Sequence, residues 1–179
     1  MIDITYPDAD NRDGMAHQGQ AGLRGYLGQG DLITYQVWGG WQFRGYDNGD
    51  LKNFNNFIGH GEIVYKPNDL TSLSVGAVRR PEESVGSGQT FYVRNELYLQ
   101  LRRQIAQNWF VNAQGAVALN DYSNDRLDFR WEPGAGVEYL LPGKILSLFG
   151  QYKYSGRESD AANSDYSRHL VNFGIKAQV

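Results

Sequence analysis

One stretch of this sequence alternates between apolar and polar side chains. From Phe91 to Leu101, every second residue is apolar apart from Asn95, and the residues between them are polar or charged. Successive side chains of a β-strand point to opposite faces of a sheet, so a period of two predicts a strand with one apolar and one charged face. A charged face cannot form a dry core, but it can line bulk water or a polar interior. The pattern therefore leaves a soluble sandwich and a transmembrane barrel open.

The same alternation divides most of the chain into about ten predicted strands, with a range of about eight to twelve. They are placed at Ile2–Tyr6, Gln18–Leu27, Leu32–Arg44, Phe54–Lys66, Leu70–Arg80, Thr90–Arg103, Trp109–Asn120, Arg126–Leu141, Ile145–Arg157 and Tyr166–Gln178. Several exceed the usual globular strand of about five or six residues and are long enough to cross a bilayer at a tilt. Strand length therefore favours the barrel.

The predicted connections alternate between short and long. Short turns carrying Gly, Pro, Asn or Asp are expected at Gly28–Asp31, Pro67–Asp69, Gln104–Asn108 and Pro142–Lys144. Longer loops are expected at Pro7–His17, Tyr46–Asn53, Pro81–Gln89, Asp121–Asp125 and Gly156–Asp165. Outer-membrane barrels have short turns at the periplasmic end and longer loops at the outer end. The spacing of the strands therefore predicts the same asymmetry here.

Aromatic residues are placed toward the ends of the apolar faces. They are Tyr35, Trp41, Phe43, Tyr65, Trp109, Trp131, Tyr139, Tyr152 and Tyr154. Amphipathic rings concentrate at the headgroup level of membranes. We therefore predict that Val93, Leu97, Leu99, Val117 and Val137 face lipid, and that Arg94, Glu96, Gln100 and Glu132 face inward.

Composition limits the chemistry that the chain can perform. It has no cysteine, which excludes disulfides and thiolate metal sites, and its net charge of −3 is too small to imply nucleic acid. The acidic stretch Asp8–Gly14 lacks the spacing of a calcium loop. His60 is predicted to face inward near Glu62, whereas His17 and His169 are predicted near loop ends on other strands. We therefore expect no metal, no cofactor and no enzymatic activity. The N-terminal residues carry no signal-peptide pattern, so any export signal is expected to have been removed.

The charged faces of the predicted strands supply a set of candidate lumen-lining residues. They are Arg24, Arg44, His60, Glu62, Arg94, Glu96, Arg102, Arg126, Asp128, Arg130, Glu132, Glu138, Lys153 and Lys176. Opposite charges that face one another across a narrow barrel can bond and fill it. Unpaired charges would be costly, so many must pair or stay hydrated. A plugged polar core and a narrow channel are both compatible with this set.

Two segments resemble a known family. YVRNELYLQLRRQIAQNWFVNAQGA, and the stretch from EPGAGVEY to the final KAQV, are similar to the C-terminal part of β-barrel porins linked to surface-polysaccharide export in Gram-negative bacteria. The similarity includes Gly136–Tyr139, the loop before Tyr166 and Arg168, and the last strand at Val171 and Gly174. It implies an outer-membrane barrel whose interior passes or contacts solutes.

We therefore predict that residues 1–179 form one domain, an all-β, antiparallel, up-and-down transmembrane β-barrel of the Gram-negative outer membrane. The leading functional hypothesis is a small passive pore or a barrel associated with surface polysaccharide. Its expected partners are membrane lipid or detergent and anionic solutes or polysaccharide, and no nucleic acid. Two alternatives are a structural or engineered closed barrel without transport, and a soluble ligand-binding β-barrel.

Overall fold

A computed structural model describes residues 2–4, 14–49, 51–84, 90–143 and 145–177, and most of these residues lie in β-strands. A single 3-10 turn, Gln29–Asp31, interrupts the strands. The strands are β1 (Ile2–Ile4), β2 (Gly14–Leu27), β3 (Ile33–Tyr46), β4 (Phe54–Asn68), β5 (Thr71–Glu83), β6 (Phe91–Ala106), β7 (Trp109–Tyr122), β8 (Leu127–Trp131), β9 (Gly134–Leu140), β10 (Leu146–Ser159) and β11 (Tyr166–Ala177).

Apart from β8 and β9, each strand pairs antiparallel with its neighbours along the chain, so the sheet is an up-and-down meander. β8 and β9 lie in line, because both pair with β7 on one side and with β10 on the other. They are separated by Glu132 and Pro133, and proline has no N–H to donate to a ladder. Counting β8 and β9 as one interrupted strand gives the predicted ten positions, which confirms the all-β antiparallel fold.

Several strands extend further toward the loop end than the sequence pattern predicts. β2 begins at Gly14 and β10 continues to Ser159, within stretches that were predicted as loops. The alternation is weak there because polar side chains occupy both faces, yet the backbone still pairs, as in Gly14 with Tyr46. β5 likewise continues to Glu83, within the predicted loop Pro81–Gln89. Residues 85–89 of that loop, and residues 7–13 of the predicted loop Pro7–His17, lie outside the described residues.

The register assigns side chains to two faces. Arg94, Asn120 and Asp128 are opposite one another in the register of β6, β7 and β8, so they share one face of the sheet. We call this face the inner face and the opposite face the outer face. Phe173 on the outer face is 82% exposed, whereas Asp128 on the inner face is 0% exposed. Soluble proteins bury their large apolar side chains and expose their charges. The distribution here is inverted, as expected for a sheet whose outer face contacts lipid.

The predicted outward residues follow this inversion with one exception. Leu97, Leu99, Val117 and Val137 are exposed on the outer face, whereas Val93 is buried. Val93 and Phe91 pack against Phe54 and Ile58, which the register places on the inner face of β4. The outer face of the β5–β6 end therefore contacts the inner face of β4, and this contact buries Val93.

This contact is possible because β4 and β5 separate at the loop end. Their pairing runs only between Gly59–Arg79 and Asn68–Thr71, so residues 54–58 and 80–83 are not paired with each other. At the same end, Arg44 on the inner face of β3 forms an ion pair of 2.6 Å with Glu83 on the outer face of β5. We call this divergence of β4 and β5 the fork.

The predicted aromatic residues lie on the outer face. Trp109 and Tyr139 pack 4.8 Å apart near the turn end, and Phe129 and Trp131 pack 5.7 Å apart nearer the loops. The rings therefore occur at two levels, as in membrane-spanning barrels. No helix in the described part of the chain has the length and apolarity that a spanning helix requires, a finding that concerns helices alone.

Candidate functional site

The inner face of the sheet brings the predicted charged residues together. The strand register places on this face Arg24, Arg44, His60, Glu62, Arg94, Glu96, Arg102, Asp128, Arg130, Glu138, Lys153 and Lys176. Arg126 precedes β8 and Glu132 lies between β8 and β9, and both bond to inner-face side chains. Arg24 and Lys176 are exposed. Lys176 lies on β11 at the end of the paired series, and Arg24 lies on β2 beyond the three residues that pair with β1.

Asp128 is the centre of a charged network in the loop half of this face. Arg126 donates to both of its carboxylate oxygens, at 2.7 and 2.8 Å, and Ser159 Oγ donates at 2.5 Å. Arg157 Nη1 lies 3.6 Å from the same carboxylate. The Arg126 guanidinium also lies 4.7 Å from the centre of the Tyr122 ring. The fully buried charge of Asp128 is therefore compensated from the start of β8 and from β10.

Glu132 forms a second charged centre where β8 ends. It accepts from Arg130 Nη2 at 2.9 Å and from Lys153 Nζ at 2.6 Å. The break at Pro133 leaves this carboxylate between β7 and β10, within reach of a base on β10. A charged pair that is taken partly out of water is stable only when its remaining donors and acceptors are satisfied.

Short sequence spacing accounts for much of the loop-half pairing. Among the described residues, four ion pairs join an arginine to the acid two positions later, and all lie in this half: Arg80–Glu82, Arg94–Glu96, Arg126–Asp128 and Arg130–Glu132. Residues two apart on a strand share a face, so each pair can form within one strand. The bases therefore neutralise acids beside them, and fewer project freely from the face.

A polar cluster that links three strands occupies the middle of the inner face. Glu62 accepts from Tyr98 Oη at 3.0 Å and lies 3.4 Å from Gln36 Nε2. His60 Nε2 is 3.2 Å from the same tyrosine oxygen, and its ring stacks on Trp38. Contact between β4 and β6 passes over β5, where Gly76 lies beneath Tyr98 and a Cβ would meet that ring at 2.3 Å. The glycine therefore makes room for the cross-strand contact.

The turn half of the inner face is more open. Glu138 accepts from Ser147 Oγ at 2.7 Å and pairs with the half-exposed Arg102 at 3.0 Å. Beside this pair lies a cavity of about 1020 Å³, whose lining includes Lys66, Arg102 and Lys176 together with glutamine, asparagine and serine side chains. Among the described residues, neither lysine belongs to an ion pair. The cavity is therefore polar, and in the described part of the chain its unpaired charges are the two lysines and one carboxylate, that of Asp69.

Sequence reasoning omitted some members of these networks. Tyr98 and Ser147 complete contacts of Glu62 and Glu138, and Arg157 contributes to the Asp128 network. The period of two places Tyr98 on the charged face, and that signal could have identified it. The role of Ser147 depends on register between strands, which the sequence pattern does not specify.

The arrangement supports binding and neutralisation of charge. Within the described residues, no group of three or more histidine, aspartate or glutamate side chains has the geometry to hold a metal ion. His17 contacts Met15 on β2, and His169 contacts Tyr152 on β10, both at a distance from the His60 cluster. The histidines thus occupy three separate environments.

A meander of long amphipathic strands, with a polar inner face and an apolar outer face, defines the class of β-barrel membrane proteins. Comparison with family models gives a match to the family described as putative beta-barrel porin 2 over residues 3–179. The chain therefore belongs to that porin family, as the resemblance predicted. Comparison with curated proteins gave no match.

Proposed function

We propose that this protein is a narrow passive pore of a Gram-negative outer membrane that prefers anionic solutes. The observation that carries the proposal is the polar cavity of about 1020 Å³ in the turn half of the inner face, where the bases Lys66, Arg102 and Lys176 outnumber the acids Asp69 and Glu138. Membership of a porin family supports the same reading. Excess fixed charge along a low-dielectric wall favours ions of opposite sign.

The loop half forms the narrow part of the proposed path. Side chains of β3, β6, β8 and β10 project into it, and most of their charges are paired. Paired charges contribute little to ion selectivity because each cancels its neighbour. Selectivity should therefore be set in the turn half, by bases that lack an acidic partner.

The test is a reversal potential across a KCl gradient in a planar bilayer, at about 0.1 M mean salt, where the screening length is about 10 Å. We expect anion preference, and we expect it to fall when Lys66 and Lys176 are both replaced by glutamine. Lys52→Gln is the matched control, because Lys52 lies in the β3–β4 loop and bonds to the Ser123 carbonyl. Cation preference in the unaltered protein would reject the proposal.

The notion of a polysaccharide partner rests on the family resemblance, and we propose an acidic saccharide as the solute class. Such a molecule would meet Lys66, Arg102 and Lys176 when it enters from the turn end. A trimer of galacturonic acid, added on that side, should reduce the current, whereas a neutral glucose trimer should not. Equal block by both trimers would show that size alone limits the path.

A closed structural barrel is the second candidate, and the ion pairs of the loop half favour it. Asp128 and Glu132 together engage Arg126, Arg130, Lys153 and Arg157, so the charges on this part of the inner face are held by one another. The bilayer experiment separates the two candidates, since a closed barrel gives no conductance above that of the bare membrane. A protein that remained folded and monomeric without detergent would instead support the soluble ligand-binding alternative.

A further inference from the structure

The fork leaves an apolar groove on the outer face, beside the place where β5 leaves β4. The groove has a volume of about 570 Å³, and its lining includes Phe57, Gly61, Ala77, Leu97 and Phe129. Gly61 and Ala77 are opposite each other in the β4–β5 register, so small side chains form the floor between larger apolar ones. Its volume and apolar lining suit a hydrocarbon chain.

An arginine lies at one end of this groove. Arg79 is on the outer face, where it pairs in register with Gly59 and with Asn95. It donates to the side-chain oxygen of Asn95 and, through Nε, to the Phe57 carbonyl at 3.3 Å. Among the described residues no ion pair includes Arg79. Its positive charge therefore has no carboxylate to balance it.

The position of Arg79 relative to the aromatic residues indicates its depth. Phe57 and Phe129 line the same groove, and Phe129 packs on Trp131 in the loop-side group of outer aromatic residues. Such rings mark the headgroup level. A base on the outer face costs about 2–4 kcal/mol at the midplane of a bilayer and much less near the interface, where headgroups supply counter-charge.

We propose that this groove binds one acyl chain of an outer-leaflet glycolipid of the lipid A type, and that Arg79 pairs with its phosphate. Guanidinium has five N–H donors in a planar fork that matches phosphate oxygens. Two of its contacts are used by Asn95 and Phe57, and these fix the orientation of the group. The remaining donors are available to the phosphate. The loop end of a barrel faces the outer leaflet, where such lipids reside.

A purely structural role for Arg79 makes a different prediction. The Phe57 carbonyl lies just beyond the last β4–β5 pair. In the structural explanation, the sole role of Arg79 is to donate a hydrogen bond to this carbonyl. That role requires no charge on the lipid and no space in the groove. The proposed site requires both, and the two explanations can be separated with one variant for each requirement.

The experiment is native mass spectrometry of the full chain in a non-ionic polyoxyethylene detergent. It is titrated with diphosphoryl lipid A and, separately, with phosphatidylcholine. We expect one lipid A to bind at least about tenfold more tightly than phosphatidylcholine. Arg79→Gln should lower lipid A affinity about tenfold and leave phosphatidylcholine binding unchanged. Arg80→Gln is the matched control, because the neighbouring Arg80 lies on the inner face and pairs with Glu82.

A second variant tests the groove independently of the charge. A Cβ at Gly61 would meet only Val37 Cγ2, at 4.0 Å, so Gly61→Val should fold and fill the floor of the groove. This variant should weaken the binding of both lipid A and phosphatidylcholine. Heat-modifiable migration on a gel checks that each variant is folded. Undiminished lipid A binding by either Arg79→Gln or Gly61→Val would overturn the proposal, and neither outcome depends on whether the barrel conducts ions.

Discussion

The loop half and the turn half of the inner face have similar residue types but different arrangements. In the loop half, an arginine is followed two residues later by an acid on the same face. Asp128 is completely buried there and is hydrogen-bonded to Arg126 and Ser159. In the turn half, Lys66 and Lys176 line an open cavity of about 1020 Å³. The same period of two thus produces paired, partly buried charges at one end and an open cavity at the other.

The difference indicates what determines whether a charged face closes or stays open. An acid two residues from a base lies on the same face of the same strand, so the pair can form without help from tertiary structure. Lys66, near the end of β4, has no acid two residues away, and its ammonium group can remain hydrated in the open cavity. The contrast predicts large stability effects in the loop half and small ones in the turn half.

The largest effect should come from Asp128→Ala. Removal of this fully buried carboxylate leaves the partly buried Arg126 and Arg157 without their shared partner, which should lower the free energy of unfolding by about 3–5 kcal/mol. The measurement is urea unfolding of the protein inserted in phosphatidylcholine vesicles. Glu138→Ala is the matched change in the turn half, and it should cost about 1–2 kcal/mol because its partner Arg102 is half exposed.

Equal costs for Asp128→Ala and Glu138→Ala would contradict the distinction between the two halves. A loss at Asp128 that became smaller in the double variant with Arg126→Leu would support it. In that double variant the arginine is no longer left unpaired, and coupling between neighbouring sites is the expected sign of a shared network.

The second largest effect should come from Phe54→Ala at the fork. Phe54 is buried, and its ring lies 5.3 Å from that of Phe91 in an edge-on contact. The cavity that remains should cost about 3 kcal/mol. Because this contact holds the β5–β6 end against the inner face of β4, its loss should also raise the conductance in planar bilayers.

Phe57→Ala is the control for the fork, since Phe57 is the exposed outer-face aromatic residue three positions along the same strand. It should change neither quantity by a comparable amount. A conductance increase with Phe57→Ala but not with Phe54→Ala would show that the fork does not narrow the path.

The third effect tests the assignment of faces in the turn half. Leu99 is exposed on the outer face and Gln100 is the next residue on the inner face. Leu99→Arg should lower the free energy of unfolding in vesicles by about 2–4 kcal/mol if it lies near the bilayer midplane. Gln100→Arg places the same group beside the open cavity and should cost less than about 1 kcal/mol. The reverse order would require a register shifted by one residue.

Sequence reasoning predicted the strands well because alternation is a local property. The ten strand positions and the charged face through Arg94 and Glu96 follow from the period of two alone. The fork could not be predicted, because it depends on β4 and β5 losing their pairing beyond Gly59 and Arg79. Nor could the burial of Val93, which has the same alternation as the exposed Leu97 and differs only in what the neighbouring strand does.

The smallest effect should come from Arg80→Gln, and it separates spacing from burial as the cause of stability. Arg80–Glu82 and Arg94–Glu96 have the same spacing, but the Arg80 side chain is 57% exposed whereas that of Arg94 is 16% exposed. Exposed pairs are worth less than about 1 kcal/mol because water and salt screen them. Arg80→Gln should therefore change the free energy of unfolding by less than about 1 kcal/mol. Arg94→Gln should cost about 1–3 kcal/mol, since Glu96 is then left with little solvent. Equal effects of the two variants in vesicles would show that the two-residue spacing determines the contribution to stability, whatever the exposure of the pair.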